Sequence, residues 1–312
     1  MRIFLVLALS TLLLSCNDPY KKFKKTPDYI TNASGIDQSY LEAYDETLKL
    51  WNVTYEALYI PTTHGIAHVL VSGPADAAPV VLLHGMDASS TMWYPNIEAL
   101  SKNHRVFAID FLLEAGKSHV YDKMDNKEEV TKWYQEVLFA LQLENYHLIG
   151  ASRGGWLAVN LALNNQKSIK SMVLLSPAQT FTWIKPSTDL FKNIVSLLSS
   201  KEKQMEQSLE SMSTNVANIS DAYLAQYAIA LKKESENQFV ASMQPFSNSE
   251  LKSLQMPVLV LIGDDDMINE KRTIEIAKML PQGKGEVIRN AGHFLSIDQA
   301  EIVNAKMLGF LE

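Results

Sequence analysis

The chain has 312 residues, 47% of them hydrophobic, and a formal net charge of −7 at neutral pH. That length accommodates one large α/β domain with an insertion, and the apolar share is ordinary for a globular core. Acidic and basic residues are interspersed without long blocks, which excludes the basic footprint of a nucleic-acid-binding protein, and a single cysteine excludes an internal disulfide.

Residues 1–15 join one basic side chain, Arg2, to a short apolar stretch. This is the pattern of a secretory signal peptide, too short to span a bilayer comfortably. The run Leu13-Leu14-Ser15-Cys16 resembles a bacterial lipoprotein cleavage box. The resemblance implies lipidation of Cys16 as the mature N-terminus, export, and anchoring to a membrane of the cell envelope. Residues 16–40 read as a solvated tether whose lysines, Lys21, Lys22, Lys24 and Lys25, are few for adhesion to anionic headgroups.

Beyond the tether, apolar and polar positions alternate over 51–60 and 66–71 around Pro61-Thr62-Thr63-His64-Gly65, which predicts an antiparallel hairpin. His64 and His68 fall across a turn and a strand with no acidic partner in the pattern, so no metal site is expected there. Short apolar runs at 80–84, 106–110, 147–151, 172–176, 258–263 and 286–289 then alternate with helical patterns at 91–101, 127–143, 152–164, 271–280 and 299–311. Such alternation predicts an α/β fold with a mostly parallel, doubly wound sheet and ligands at the carboxyl ends of its strands. The core is divided into 41–177 and 254–312.

Residues 178–253 interrupt the alternation, with helical spacing at Leu190, Ile194, Leu197 and Leu198 and again at Tyr223, Tyr227, Ile229 and Leu231. This predicts a helical cap inserted between the sixth and seventh strands. Its aromatic and apolar residues include Phe191, Phe239 and Met243, and Phe181, Trp183 and Phe246 are the substrate-binding candidates. The ordinary role of each is to pack the cap onto the body.

The chemistry concentrates at strand ends. Gly150-Ala151-Ser152-Arg153-Gly154 plants a serine on a strand-to-helix turn, where flanking glycines permit close approach and a helix N-terminus offers free amides. A serine hydroxyl needs a histidine to take its proton and a carboxylate to orient that histidine. Both follow: Gly263-Asp264-Asp265-Asp266 ends one predicted strand, and Asn290-Ala291-Gly292-His293 follows the last. On the residues alone, any of the three aspartates can serve.

Leu83-His84-Gly85-Met86, Phe107-Ala108-Ile109-Asp110, the serine turn, Gly263 to Asp266 and Asn290 to His293 stand in the order of the α/β-hydrolase superfamily, and the chain over roughly 50–312 resembles a capped member of it. The resemblance implies a serine hydrolase with Ser152 as nucleophile, Asp266 as the acid and His293 as the base. It places the oxyanion donors at the Met86 and Arg153 amides. Because one histidine suffices as base and His293 is better placed, the His84 side chain is read as structural, bridging loop backbones. The expected activity is cleavage of a small or medium, largely apolar carboxylic ester, or a related acyl compound, through an acyl-enzyme, with no cofactor. Alternatives are a triad-bearing ligand sensor with negligible turnover, or a carbon–carbon bond hydrolase or perhydrolase. The loop from Asp110 to Ser118 departs from the family pattern at Leu113 and Glu114. Glu114 and Asp87 are therefore candidates for contacting a polar or cationic substrate group, with solvated rim charges as their ordinary reading.

Overall fold

The computed structural model describes residues 18–184, 209–233 and 239–312. The leader, Cys16, Phe191 and the helical pattern from Leu190 to Leu198 lie outside the described residues.

Nine strands form one sheet in the order β1-β2-β4-β3-β6-β7-β8-β9. They are β1 (Tyr55–Pro61), β2 (Gly65–Ser72), β3 (Ala78–Leu83), β4 (His104–Ile109), β5 (His119–Val120), β6 (Tyr146–Ala151), β7 (Ile169–Leu175), β8 (Val258–Gly263) and β9 (Gly283–Ile288). β1 and β2 are the predicted antiparallel hairpin, β2 pairs antiparallel with β4, and every neighbour from β4 through β9 is parallel. The two-residue β5, paired with the start of β2, is an edge element too short to leave a sequence pattern. The helical insertion falls between β7 and β8, which are the predicted sixth and seventh strands renumbered by the addition of β5.

The central strands read as continuous apolar runs because both faces of the sheet are covered. Val81, Leu83, Leu148, Met172, Leu174, Val258 and Val260 point into one core layer, whereas Val80, Leu82, Ile149, Val173, Leu175, Leu259 and Leu261 point into the other. The period of two assigns successive side chains to opposite sides. Helices α2 (Lys127–Ala140) and α3 (Arg153–Asn164) and part of α5 (Lys271–Ala277) close the first layer. Helices α1 (Gly35–Leu48) and α6 (Ala300–Leu311) close the second.

The described part of the N-terminal region corrects the expected tether. Phe23 is buried in the first core layer, the Tyr20 hydroxyl donates to the Leu141 carbonyl at 3.0 Å, and Tyr29 stacks on His119 at 4.3 Å. Lys24 pairs with Asp18 at 2.5 Å and with Glu56 at 2.9 Å. The 16–40 boundary also cuts α1, whose Tyr40 and Tyr44 are core residues. Scattered aromatics between lysines gave no periodic signal, yet each finds an apolar seat on the body.

Within the insertion, helix α4 (Asp221–Ala230) lies along α1. Gln226 donates to the Tyr40 hydroxyl at 3.0 Å, and Thr47 donates to the Ala222 carbonyl at 3.1 Å. The N-terminal helix thereby supports the insertion that overhangs the strand ends.

Deleting a buried aromatic ring removes both its transfer free energy and its packing. Phe23→Ala is expected to lower unfolding free energy in urea by about 3 kcal/mol, whereas Lys22→Ala leaves it within about 0.5 kcal/mol. Equal, negligible effects of the two substitutions would restore the tether reading.

Candidate active site

β6 ends at Ala151 and α3 begins at Arg153, so Ser152 alone makes the turn. It adopts φ 52° and ψ −118°, a strained conformation for a residue with a side chain. The turn closes only because two neighbours lack side chains. A Cβ on Gly150 would stand 2.2 Å from the Gly154 carbonyl oxygen, and one on Gly154 would stand 2.1 Å from that of Leu83. The Ser152 amide donates to the Leu175 carbonyl at 2.8 Å, which pins the elbow to β7.

His293 sits on the loop after β9, and its Nε2 lies 2.8 Å from Ser152 Oγ. Its Nδ1 lies 2.9 Å from Asp266 Oδ1. Three side chains from the ends of β6, β8 and β9 thus form a continuous hydrogen-bonded chain. Asp266 also accepts from the Ile268 amide at 2.9 Å, the Asn269 amide at 3.2 Å and the Asn269 side chain at 3.0 Å. Burial by itself raises the Asp266 carboxyl, but the His293 charge and hydrogen bond outweigh it and hold it down at about 2. The group is therefore ionised wherever the histidine would need it.

The two other aspartates of the run do different things. Asp264 and Asp265 are exposed, and the Asp264 side chain accepts the Ala291 amide at 3.2 Å while the Asp265 amide donates to the Ala291 carbonyl at 3.0 Å. They fasten the histidine loop rather than the histidine. Asp298 fastens it from the other side, accepting the Gly292 amide at 2.8 Å and the Thr214 amide of the insertion at 3.1 Å. Sequence reading missed both Asp298 and Asn269. The three-residue step from Asp266 to Asn269 is the one local signal that was available.

The Met86 and Arg153 amides have no protein acceptor among the described residues, leaving both donors to a ligand. His84 fixes the first of these segments. Its Nε2 accepts the Phe111 amide at 2.8 Å, so Nδ1 carries the proton and donates to the Gly85 carbonyl at 2.8 Å. Burial keeps this imidazole neutral by lowering its pKa. His68 is occupied differently, bonded at 2.9 Å to the fully buried Asp110. Asp110 also accepts the Ser90 and Lys117 amides and the Tyr44 hydroxyl. Burial opposes its ionisation, but the His68 hydrogen bond and charge outweigh it, so its pKa is lowered.

Ser152 and His293 open into a cavity of about 160 Å³ whose apolar lining includes Met92, Leu175, Met212, Tyr223, Phe294 and Ile297. Larger clefts of about 840 and 560 Å³ lie elsewhere and contain neither residue. Phe181, Trp183 and Phe246 do not line the cavity, contrary to expectation. Phe246 stacks on Trp156 at 5.0 Å, Phe181 is in the same core layer, and the Trp183 side chain is 58% exposed. The cavity belongs to the opposite layer: Met92, Leu175, Tyr223, Leu295 and Ile297 all pack on the second face of the sheet. Phe181, Phe239, Met243 and Phe246 instead attach the insertion to α3 on the first face, where the Trp156 indole donates to the Gln244 carbonyl at 2.8 Å.

Glu114 departs from the sequence reading, whereas Asp87 keeps its place at the cavity. Glu114 is buried and accepts from the Arg153 guanidinium and, at 2.8 Å, from the Asp87 amide. It is neither a rim charge nor a group facing solvent. Asp87 is half-buried and lines both the catalytic cavity and a neighbouring cleft of about 400 Å³. Burial, reinforced by the Glu114 charge, pushes its carboxyl up to about 6.

Comparison with known proteins identifies the family. The alpha/beta hydrolase fold family matches residues 78–222. Carboxylesterase YbfK of Bacillus subtilis is 33% identical over 282 residues, covering 87% of this chain and 93% of that protein. The solved structure of naproxen esterase (carboxylesterase NP) from Bacillus subtilis superposes with a TM-score of 0.83 at 33% identity, covering 89% of this chain and 99% of that one. The structure of carboxylesterase CesB (YbfK) from the same organism gives 0.81 at 31% identity over 88% and 98% of the two chains. With the fold and most of both lengths shared, the chain belongs to the α/β-hydrolase family and is a serine hydrolase acting on carboxylic esters.

Proposed function

We propose that Ser152, His293 and Asp266 carry out this hydrolysis on small, largely apolar acyl groups through an acyl-enzyme. The observation that carries the reading is the unbroken contact from Ser152 Oγ through His293 to Asp266, at 2.8 and 2.9 Å. His293 Nε2 takes the Ser152 proton as the oxygen attacks the ester carbonyl, and the Met86 and Arg153 amides stabilise the oxyanion. The imidazolium, supported by ionised Asp266, then protonates the departing alcohol. Water, deprotonated by the same imidazole, releases the carboxylic acid and restores the serine. The size and apolar lining of the 160 Å³ cavity support short acyl chains.

A panel of p-nitrophenyl esters tests these roles. The enzyme should turn over acetyl to hexanoyl esters and discriminate against longer chains. Ser152→Ala should lose turnover and fluorophosphonate labelling together. Asp266→Asn should lose about 10³- to 10⁴-fold in kcat, and Asp265→Asn should stay within about twofold. Undiminished hydrolysis by Ser152→Ala sinks the assignment.

Asp87 supplies a pH test. Its carboxyl titrates near pH 6, far above the usual carboxylate range, so the group is neutral in mild acid and negative above that point. A negative charge beside the oxyanion pocket opposes the developing negative charge. Asp87→Asn should therefore raise kcat/KM near pH 8 on the order of fivefold, with the advantage vanishing as pH falls below the titration point. A pH-independent ratio of variant to native rates would refute this.

We also propose that the protein is exported and lipid-anchored through Cys16, supported by the apolar leader and by the Leu13-Leu14-Ser15-Cys16 run. Among the described residues no helix is long and apolar enough to cross a membrane. A clickable palmitate analogue fed to expressing bacteria should label the native chain and not Cys16→Ser. Absence of label on the native chain would reject the anchor.

A further inference from the structure

We propose that Glu114 is a positioning residue for the oxyanion pocket, its carboxylate tying the backbone segment of Met86 to that of Arg153. This rests on the roles assigned above to those two amides.

The Met86 N–H and the Gly85 carbonyl belong to one planar trans peptide, so fixing the carbonyl fixes the direction of the N–H. His84 Nδ1 holds that carbonyl at 2.8 Å. The next peptide, joining Met86 to Asp87, has its N–H held at 2.8 Å by Glu114 Oε2. Two successive planes are thus restrained, and rotation about Met86 is blocked from both sides. The restraint matters because Asp87 has φ 56°, a conformation with little intrinsic preference in a residue bearing a side chain.

The other Glu114 oxygen accepts from Nη1 of Arg153, the residue that follows the nucleophile and carries the second amide. Both side chains are 2% exposed, so water does not compete for either partner. The Arg153 guanidinium also lies over the Phe111 ring at 5.1 Å, and the Phe111 amide is the donor that orients His84. Among the described residues, Nε and Nη2 of Arg153 are buried without a hydrogen-bond partner, and Glu114 is the carboxylate that pairs directly with the guanidinium. The loop from Asp110 to Ser118 therefore braces both oxyanion segments from behind.

A buried arginine needs a counter-charge for folding alone, and the test separates that role from positioning. Glu114→Gln has one acceptor oxygen and satisfies either Asp87 or Arg153 but not both. It should lower kcat for p-nitrophenyl butyrate about 10- to 100-fold with KM within about threefold, and weaken inhibition by phenylboronic acid, a tetrahedral-intermediate mimic, in proportion to kcat/KM. The double variant Glu114→Leu with Arg153→Met removes both charges of this buried pair, keeps the Arg153-position amide, and carries the test should Glu114→Gln fail to fold. It should regain a near-native melting temperature while kcat stays at least about tenfold low, because the Asp87 amide has lost its acceptor. Recovery of kcat to within about twofold of the native enzyme in the double variant, or a Glu114→Gln defect confined to KM, overturns the proposal. Failure of the underlying reading is separate and visible in the native protein, as hydrolysis that survives Ser152→Ala.

Discussion

A serine forced to φ 52° between a parallel strand and the helix that follows it is the constraint on which the rest of the site depends. The strain is tolerable because β6 is buried between β3 and β7, and because Gly150 and Gly154 let α3 start almost in contact with β3. Holding the hydroxyl in that position lets a histidine from a loop 141 residues further along the chain meet it in hydrogen-bonding geometry. A relaxed turn would bury the oxygen in the first turn of the helix, and the downstream residues would have nothing to activate.

Around this point the protein keeps four carboxylates largely out of water, and each has a task in holding backbone. Asp266 orients the imidazole, Asp298 holds the histidine loop, Asp110 gathers two loop amides with His68 and Tyr44, and Glu114 joins the segments of Met86 and Arg153. Burying a charge is costly unless it is paired and hydrogen-bonded, so each group is surrounded by donors. The return for that cost is rigidity at the strand ends, where the chain is otherwise loop. Backbone amides aimed in advance at developing charge need no reorganisation when the charge appears.

The two faces of the sheet divide the labour of the insertion. On the first face, aromatic residues of the insertion pack against Trp156 and hold it to α3. On the second, Tyr223 and Met212 overhang Ser152, supported from beneath by the N-terminal helix α1. A segment that reads as a tether therefore shapes the cavity indirectly, by setting where α4 lies.

The sequence alone determined the elements and their order. Apolar runs bounded by glycine and aspartate, alternating with helical periodicity, suffice to identify parallel strands, because each strand's pattern is local and both its faces are buried. The serine elbow was legible for the same reason: its requirement for glycines is satisfied within five consecutive residues, 150–154. The family resemblance pointed to Asp266 among the three aspartates, but the residues themselves did not; that Glu114 faces Arg153 rather than water, and which aromatics line the cavity, were decided only by the tertiary structure. These depend on the direction in which a side chain leaves a turn or on which face of the sheet it falls. Residues adjacent in sequence then meet different partners, and those partners come from segments 27 to 141 positions away.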